Sequence, residues 1–189
     1  MKQNLLLIKE KCALIIVDVQ EKLAQVVKKT EIVIKNIIKL IKLAKILNIP
    51  IVITEQKNLG ETAKEIKNEI GKINPILKIK FNCFDNENFR KQISKIKKKE
   101  LILVGFEAHI CILQTALGAP QKYKIFVVED AVSSRNLSDS KAAIERMRMK
   151  GIEILTTEMV IFELLKKAGT EEFKKVLPLV KEENHNTVP

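Results

Sequence analysis

Short, mostly apolar runs alternate along this chain with segments whose apolar residues recur every three to four positions. The runs lie at residues 13–17, 50–54, 101–104, 124–128 and 152–155, with a shorter one at 76–79. Between them, Ile32, Ile34, Ile37, Ile38, Ile41 and Leu43 with Ala44 and Leu47 form a helical stripe, predicting a helix over 30–47 with Thr30 as its N-cap. Asp85 is placed to cap a helix reaching about residue 98, and Ser138 one that stops at Lys150-Gly151. A last helix is expected over 157–167. Strands that are apolar on both faces must be covered on both faces. The pattern therefore predicts an α/β fold: a three-layer, Rossmann-like domain with a mainly parallel sheet between helices. Residues 1–189 read as one domain with a polar C-terminal tail over 170–189, whose final residues are expected to be loose.

Composition narrows the function classes. The 189 residues are 46% hydrophobic, enough for a real core. No run approaches the roughly 18 apolar residues of a membrane span, and Lys9, Glu10 and Lys11 interrupt the N-terminal run, which does not read as a signal peptide. The expectation is a cytoplasmic protein without a membrane partner. Three separated cysteines (Cys12, Cys83, Cys111) make no CxxC pair and argue for reduced thiols. Two histidines are too few for a histidine-rich metal site. The net charge of +11 comes mostly from lysines spread over helical patterns. With one tyrosine and no tryptophan, stacking platforms are scarce, so a solvated lysine surface is expected and no nucleic acid.

In an open parallel sheet, chemistry collects past the carboxyl ends of the strands. Three polar residues fall there. Cys111 follows the run LILVG at the start of a helix, where free N–H groups and the helix dipole lower a thiol's pKa. Asp18 ends the run LIIV, where burial makes a carboxylate a better base. Lys78 lies in ILKIKF, but alternation puts Lys80 on the same face, and periodicity does not choose between them. Each has a plainer reading: Asp18 as a turn cap, the lysines as solvent-facing edge charges, Cys111 as a small core residue.

The blocks ALIIVDVQEKL (13–23), IVITEQ (51–56), LKIKFNCF (77–84), VGFEAHICILQTAL (104–117) and VVEDAVSSR (127–135), followed by ERMRMKGIEILTTEMVIFELL (145–165), resemble the isochorismatase-like cysteine hydrolases, in the order found there. The likeness is to the small single-domain members and covers about residues 10–167. It implies a catalytic triad of Asp18, Lys78 and Cys111, with Lys78 preferred because Phe81-Asn82-Cys83-Phe84 follows it as the family pattern requires. It further implies a cis peptide at Phe106–Glu107 and an oxyanion hole from the backbone N–H groups of Glu107 and Cys111. The implied activity is hydrolysis of a small amide or related acyl compound through a Cys111 thioester, by a homo-oligomer, with no cofactor.

The chain departs from named branches of this family. Nicotinamidases carry an Asp-x-His-x-x-His type metal site after the second strand; here the stretch is Glu55-Gln56-Lys57-Asn58-Leu59-Gly60, so no metal is expected. True isochorismatases lack the nucleophilic cysteine. Pro120 would break the Cys111 helix unless it has already ended. Gln20 and Gln56 are weak candidates for binding substrate, with sheet-end hydrogen bonding as the plain alternative. Glu107 could face a cationic group or a neighbouring subunit, Arg135 reads as a salt-bridge partner, and His109 sits awkwardly for a Cys–His pair. Three other functions remain open: an idle family member acting in protein interactions, a nucleic-acid binder, and a thiol redox protein using Cys83.

Overall fold

The first apolar run becomes β1 (Cys12–Val17), whose six residues are all buried. The computed structural model describes residues 6–72 and 74–181. From β1 the chain moves outward through β2 (Ile51–Gln56) to β3 (Ile76–Lys78). It then returns to the other side of β1 with β4 (Glu100–Phe106) and continues through β5 (Lys124–Ser133) to β6 (Glu153–Leu155). The spatial order is β3-β2-β1-β4-β5-β6, and every pairing is parallel. The expected three-layer fold is therefore present. The direction of winding reverses between β1 and β4, the place where open parallel sheets collect their functional residues.

The helices are α1 (Glu21–Ala24), α2 (Thr30–Ile46), α3 (Lys64–Ile70), α4 (Glu87–Ile96), α5 (Leu113–Leu117), α6 (Leu137–Met149), α7 (Thr157–Leu165) and α8 (Glu171–Lys181). Strand alternation divides the core between two faces. Leu14 and Ile16 of β1 pack with Ile37 and Ile41 of α2, Leu164 of α7 and Val176 of α8. Ala13, Ile15 and Val17 pack instead with Phe89 and Ile93 of α4, Ala116 of α5 and Met147 of α6.

Several expectations need correction. Thr30 is not a cap: Lys29 takes the N-cap position in the left-handed region, and the Thr30 hydroxyl donates backward to the carbonyls of Ala24 and Val27. The cap of α4 is Asn86, whose side chain accepts from the N–H of Phe89 at 3.0 Å, while Asp85 lies in the preceding tight turn. Asn136, not Ser138, precedes α6. The polar tail holds a helix that the sequence reading did not place. Residues 171–181 form α8, which buries Val176 and Leu179 on the sheet's α2 side. Three-residue spacing of Phe173, Val176 and Leu179 carries that face, but the surrounding lysines and Pro178 mask it in sequence. Residues 182–189 lie outside the described residues. Pro120 breaks nothing, because α5 has ended at Leu117.

Gly105 is part of β4 and not a turn. It pairs with Val17, and a β-carbon at its position would come within 2.0 Å of the Val17 carbonyl oxygen. Its φ of 119° also disfavours side chains. Only glycine lets β1 and β4 approach at the point where both leave the sheet. Gly105→Ala is expected to cost about 3 kcal/mol or more, read as a lower urea midpoint with an unchanged slope.

Candidate active site

Asp18 is the first residue after β1. It is fully buried, with a φ of 51° that turns its backbone out of the strand direction. Its Oδ1 accepts from the Thr54 hydroxyl at 2.7 Å, and its N–H donates to the Thr54 carbonyl at 3.2 Å. Thr54 belongs to the neighbouring strand β2, so two adjacent strand ends hold the carboxylate. Its other oxygen, Oδ2, lies 2.6 Å from Lys78 Nζ, with both side chains sealed from solvent. Among the described residues Oδ2 has no hydrogen-bond donor of proper geometry, so the contact with Lys78 is what answers its charge.

Lys78 ends β3, opposite Gln56 of β2. Its ammonium donates to Gln56 Oε1 at 2.8 Å, to the Lys80 carbonyl at 3.3 Å and to Cys111 Sγ at 3.5 Å. The strand stops at Lys78, so alternation does not carry on to Lys80, which is exposed and contributes only its carbonyl. Gln56 is itself held in place. Its N–H donates to Gln20 Oε1 at 2.7 Å, its carbonyl accepts from Gln20 Nε2 at 3.0 Å, and its own amide donates to the Ile79 carbonyl at 2.7 Å. Gln20 spends its remaining proton on the Gly60 carbonyl. Both glutamines thus act as links between loop backbone and Lys78. Thr54 escaped the sequence reading, although Thr54 and Gln56 alternate as the polar residues at the carboxyl end of β2.

Cys111 sits in a π-helical turn (Ala108–Ile112) between β4 and α5, with 6% of its surface exposed. The Phe106–Glu107 peptide before it is cis. The thiol's electrostatics reverse the expectation drawn from a helix start. Burial pushes its pKa up, the Asp18 carboxylate pushes it further, and Lys78 offsets only part of the rise. The resting thiol is protonated. For Lys78, burial alone would favour the neutral amine, but Asp18, followed by Cys111, outweighs it and holds the ammonium form. Cys83 lies close enough to feel the same carboxylate; burial first, then Asp18, pushes its thiol up to about 11. Its N–H donates to the buried hydroxyl of Thr115.

The remaining candidates face elsewhere. Glu107 is buried, and its Oε2 accepts from the N–H of Arg135 at 2.9 Å and from its guanidinium at 3.1 Å. That pairing ties the Cys111 turn to the end of β5. His109 Nδ1 lies 2.8 Å from the Ser134 hydroxyl. Glu55 accepts from both the N–H and hydroxyl of Thr62. Among the described residues, no group of three His, Cys, Asp or Glu side chains is arranged to hold a metal.

The arrangement places a carboxylate, a fixed cation and a thiol in one desolvated cluster. A carboxylate beside a protonated thiol can remove its proton, and the cation steadies the charge during the transfer.

Comparisons with known proteins agree on one family. The isochorismatase domain model matches residues 12–159. An isochorismatase family protein 1B of Dictyostelium discoideum is 34% identical over 190 residues, covering 96% of this chain and 92% of its own. A solved structure described as the MAR1 ribonuclease from Caenorhabditis elegans is 33% identical, covers 97% of each chain and superposes with a TM-score of 0.86. The YcaC protein of Escherichia coli, described as an octameric hydrolase of unknown specificity, is 27% identical, covers 96% of each chain and has a TM-score of 0.86.

Two predictions follow from the electrostatics. Removing the Asp18 charge in Asp18→Asn should lower the Cys111 pKa. The pH profile of its iodoacetamide alkylation, followed by mass spectrometry, then moves to lower pH. Lys78→Met leaves a buried carboxylate unanswered and should cost about 3–5 kcal/mol in urea unfolding, with Asp18→Asn/Lys78→Met recovering part of the loss.

Proposed function

Since the chain belongs to the isochorismatase family, we propose that it is a cysteine hydrolase acting on a small amide or related acyl compound, with Asp18, Lys78 and Cys111 as its catalytic triad. The observation that carries this reading is the buried cluster in which Lys78 Nζ touches both Asp18 Oδ2, at 2.6 Å, and Cys111 Sγ, at 3.5 Å. A stability role alone gives weak reason to keep two buried charges beside a thiol.

In the proposed reaction the Asp18 carboxylate takes the Cys111 proton, and the thiolate attacks the substrate carbonyl carbon. The N–H groups of Glu107 and Cys111 bind the oxyanion. The C–N bond breaks, and the leaving amine carries away the proton held by Asp18. That leaves an acyl thioester on Cys111. Asp18 then takes a proton from water, whose oxygen attacks the thioester. The acid departs, and the thiolate regains its proton from Asp18. Lys78 stays charged, holding Asp18 in place and offsetting negative charge at each step. Gln56 and Gln20 position Lys78 and do not meet the substrate. No metal or other cofactor enters the scheme.

The substrate is a small molecule, because little of Cys111 reaches the surface. No described helix is long and apolar enough to cross a membrane. We place the protein in the cytoplasm, where its thiols stay reduced, and as a homo-oligomer, in line with the octameric E. coli relative.

A second reading, RNA binding or cleavage, is favoured by the net charge of +11 and by the description of the C. elegans relative. A sealed thiol cluster fits it poorly, since a phosphodiester backbone needs an open groove.

A screen of small amides tests the proposal. Against the best substrate, Asp18→Asn should lower kcat about 100- to 10,000-fold. Cys111→Ala should abolish turnover and the hydroxylamine-labile mass adduct of the acyl enzyme. Full turnover by Cys111→Ala would overturn the proposal.

A further inference from the structure

A cavity opens at the other end of the sheet, where the strands begin. It encloses about 990 Å³, at the upper end of small-ligand sites. Five lysines from four segments surround it: Lys11 before β1, Lys99 before β4, Lys122 and Lys124 around the start of β5, and Lys150 after α6.

Lys11 and Lys99 are tied together by backbone just before β1 and β4, while Lys124 begins β5 opposite Glu100. The Lys99 N–H donates to the Lys11 carbonyl at 3.0 Å, and the Lys124 N–H donates to the Lys99 carbonyl at 2.8 Å. Adjacent parallel strands stand about 4.8 Å apart, so Lys11 and Lys99, leading into neighbouring strands, bring two like charges close together, a placement that costs stability.

The local acids do little to relieve it. Glu100 accepts from the Ile8 N–H at 2.9 Å and from the Cys12 thiol at 3.5 Å, and Glu153 lies 3.7 Å from Lys124. Among the described residues, Lys11, Lys99, Lys122 and Lys150 have no acidic side chain within 4 Å, although Lys122 lies over the Tyr123 ring. The carboxyl ends of nearby helices offset part of the charge, but that effect fades within a turn.

We propose that this cavity binds a polyphosphate chain, whether inorganic or carried by a nucleotide. Its concave shape gathers cations around one compact, multiply charged anion. The acids on its rim interrupt the continuous basic track that an RNA backbone would follow. The site is independent of the triad, which lies at the opposite ends of the strands.

Calorimetric titration of the intact protein with inorganic triphosphate, at low ionic strength, tests the proposal. Saturable one-to-one binding that weakens as salt rises is expected. Lys11→Glu/Lys99→Glu should weaken it at least tenfold, and Cys111→Ala should bind as the parent does. The control pair Lys28→Glu/Lys35→Glu, on exposed lysines elsewhere, should change it less than twofold. If the charge reversal prevents folding, Lys11→Gln/Lys99→Gln serves in its place and should weaken binding at least threefold. No saturable binding would overturn the proposal, as would equal loss in the control pair. Tighter binding of an eight-residue oligouridylate than of triphosphate, lost in the Lys11/Lys99 variants, would replace it with a nucleic-acid face.

Discussion

The buried pair of Asp18 and Lys78 organises the carboxyl end of this sheet. Taking two charges out of water costs several kcal/mol each, and a pair recovers that cost only when both partners are held well. Here the holding comes from neighbouring strand ends. Thr54 of β2 fixes one carboxylate oxygen, Gln56 of β2 fixes the ammonium, and Gln20 clamps the backbone of Gln56 from the loop after β1. The strand order β3-β2-β1-β4 makes this possible, because it sets the two charged strand ends on either side of β2 and brings the thiol turn beside them. In a dry site these polar groups lean on one another, with Asp18 Oδ2 answered by the Lys78 charge and not by a hydrogen bond.

The same pair decides the state of Cys111. A helix start by itself argues for a thiolate. In this fold the desolvation of the thiol and the nearby carboxylate outweigh the helix start and the Lys78 charge, so the proton stays on sulfur at rest. Such a thiol does not react with every passing electrophile. Its activation would wait for a bound carbonyl compound and for proton transfer to Asp18, which fits a hydrolase better than a freely reactive redox cysteine. Glu107 plays a different part from a substrate carboxylate. Bound to Arg135, it fastens the turn that carries Cys111 to the far end of β5.

Much of the fold was legible in the residues because burial on both faces leaves a simple mark: four- or five-residue, mostly apolar runs separated by helical stripes. Local chemistry was less legible. Thr30, Asp85 and Ser138 all have side chains suited to capping, yet the caps fell one or two residues away, where backbone turns placed Lys29, Asn86 and Asn136. Helix α8 hid in a polar segment because its stability comes from one apolar face docking on α2 and α7, which a composition reading does not register. In the site, Asp18, Lys78 and Cys111 were found through family motifs, whereas Thr54 became visible only as a hydrogen-bond partner.

The sequence by itself determined the layered α/β architecture, the strand ends where polar residues collect, and the family. Periodicity and ordered motifs are local properties, and they survive without coordinates. The family motif pointed to Lys78 over Lys80 and, since β3 stops pairing with β2 at Lys78, only the tertiary structure supplied a physical reason. Only it set the protonation of Cys111 and gathered five lysines around one cavity. Charge interactions and desolvation depend on distances between residues far apart in the chain, and those distances exist only once the sheet has closed.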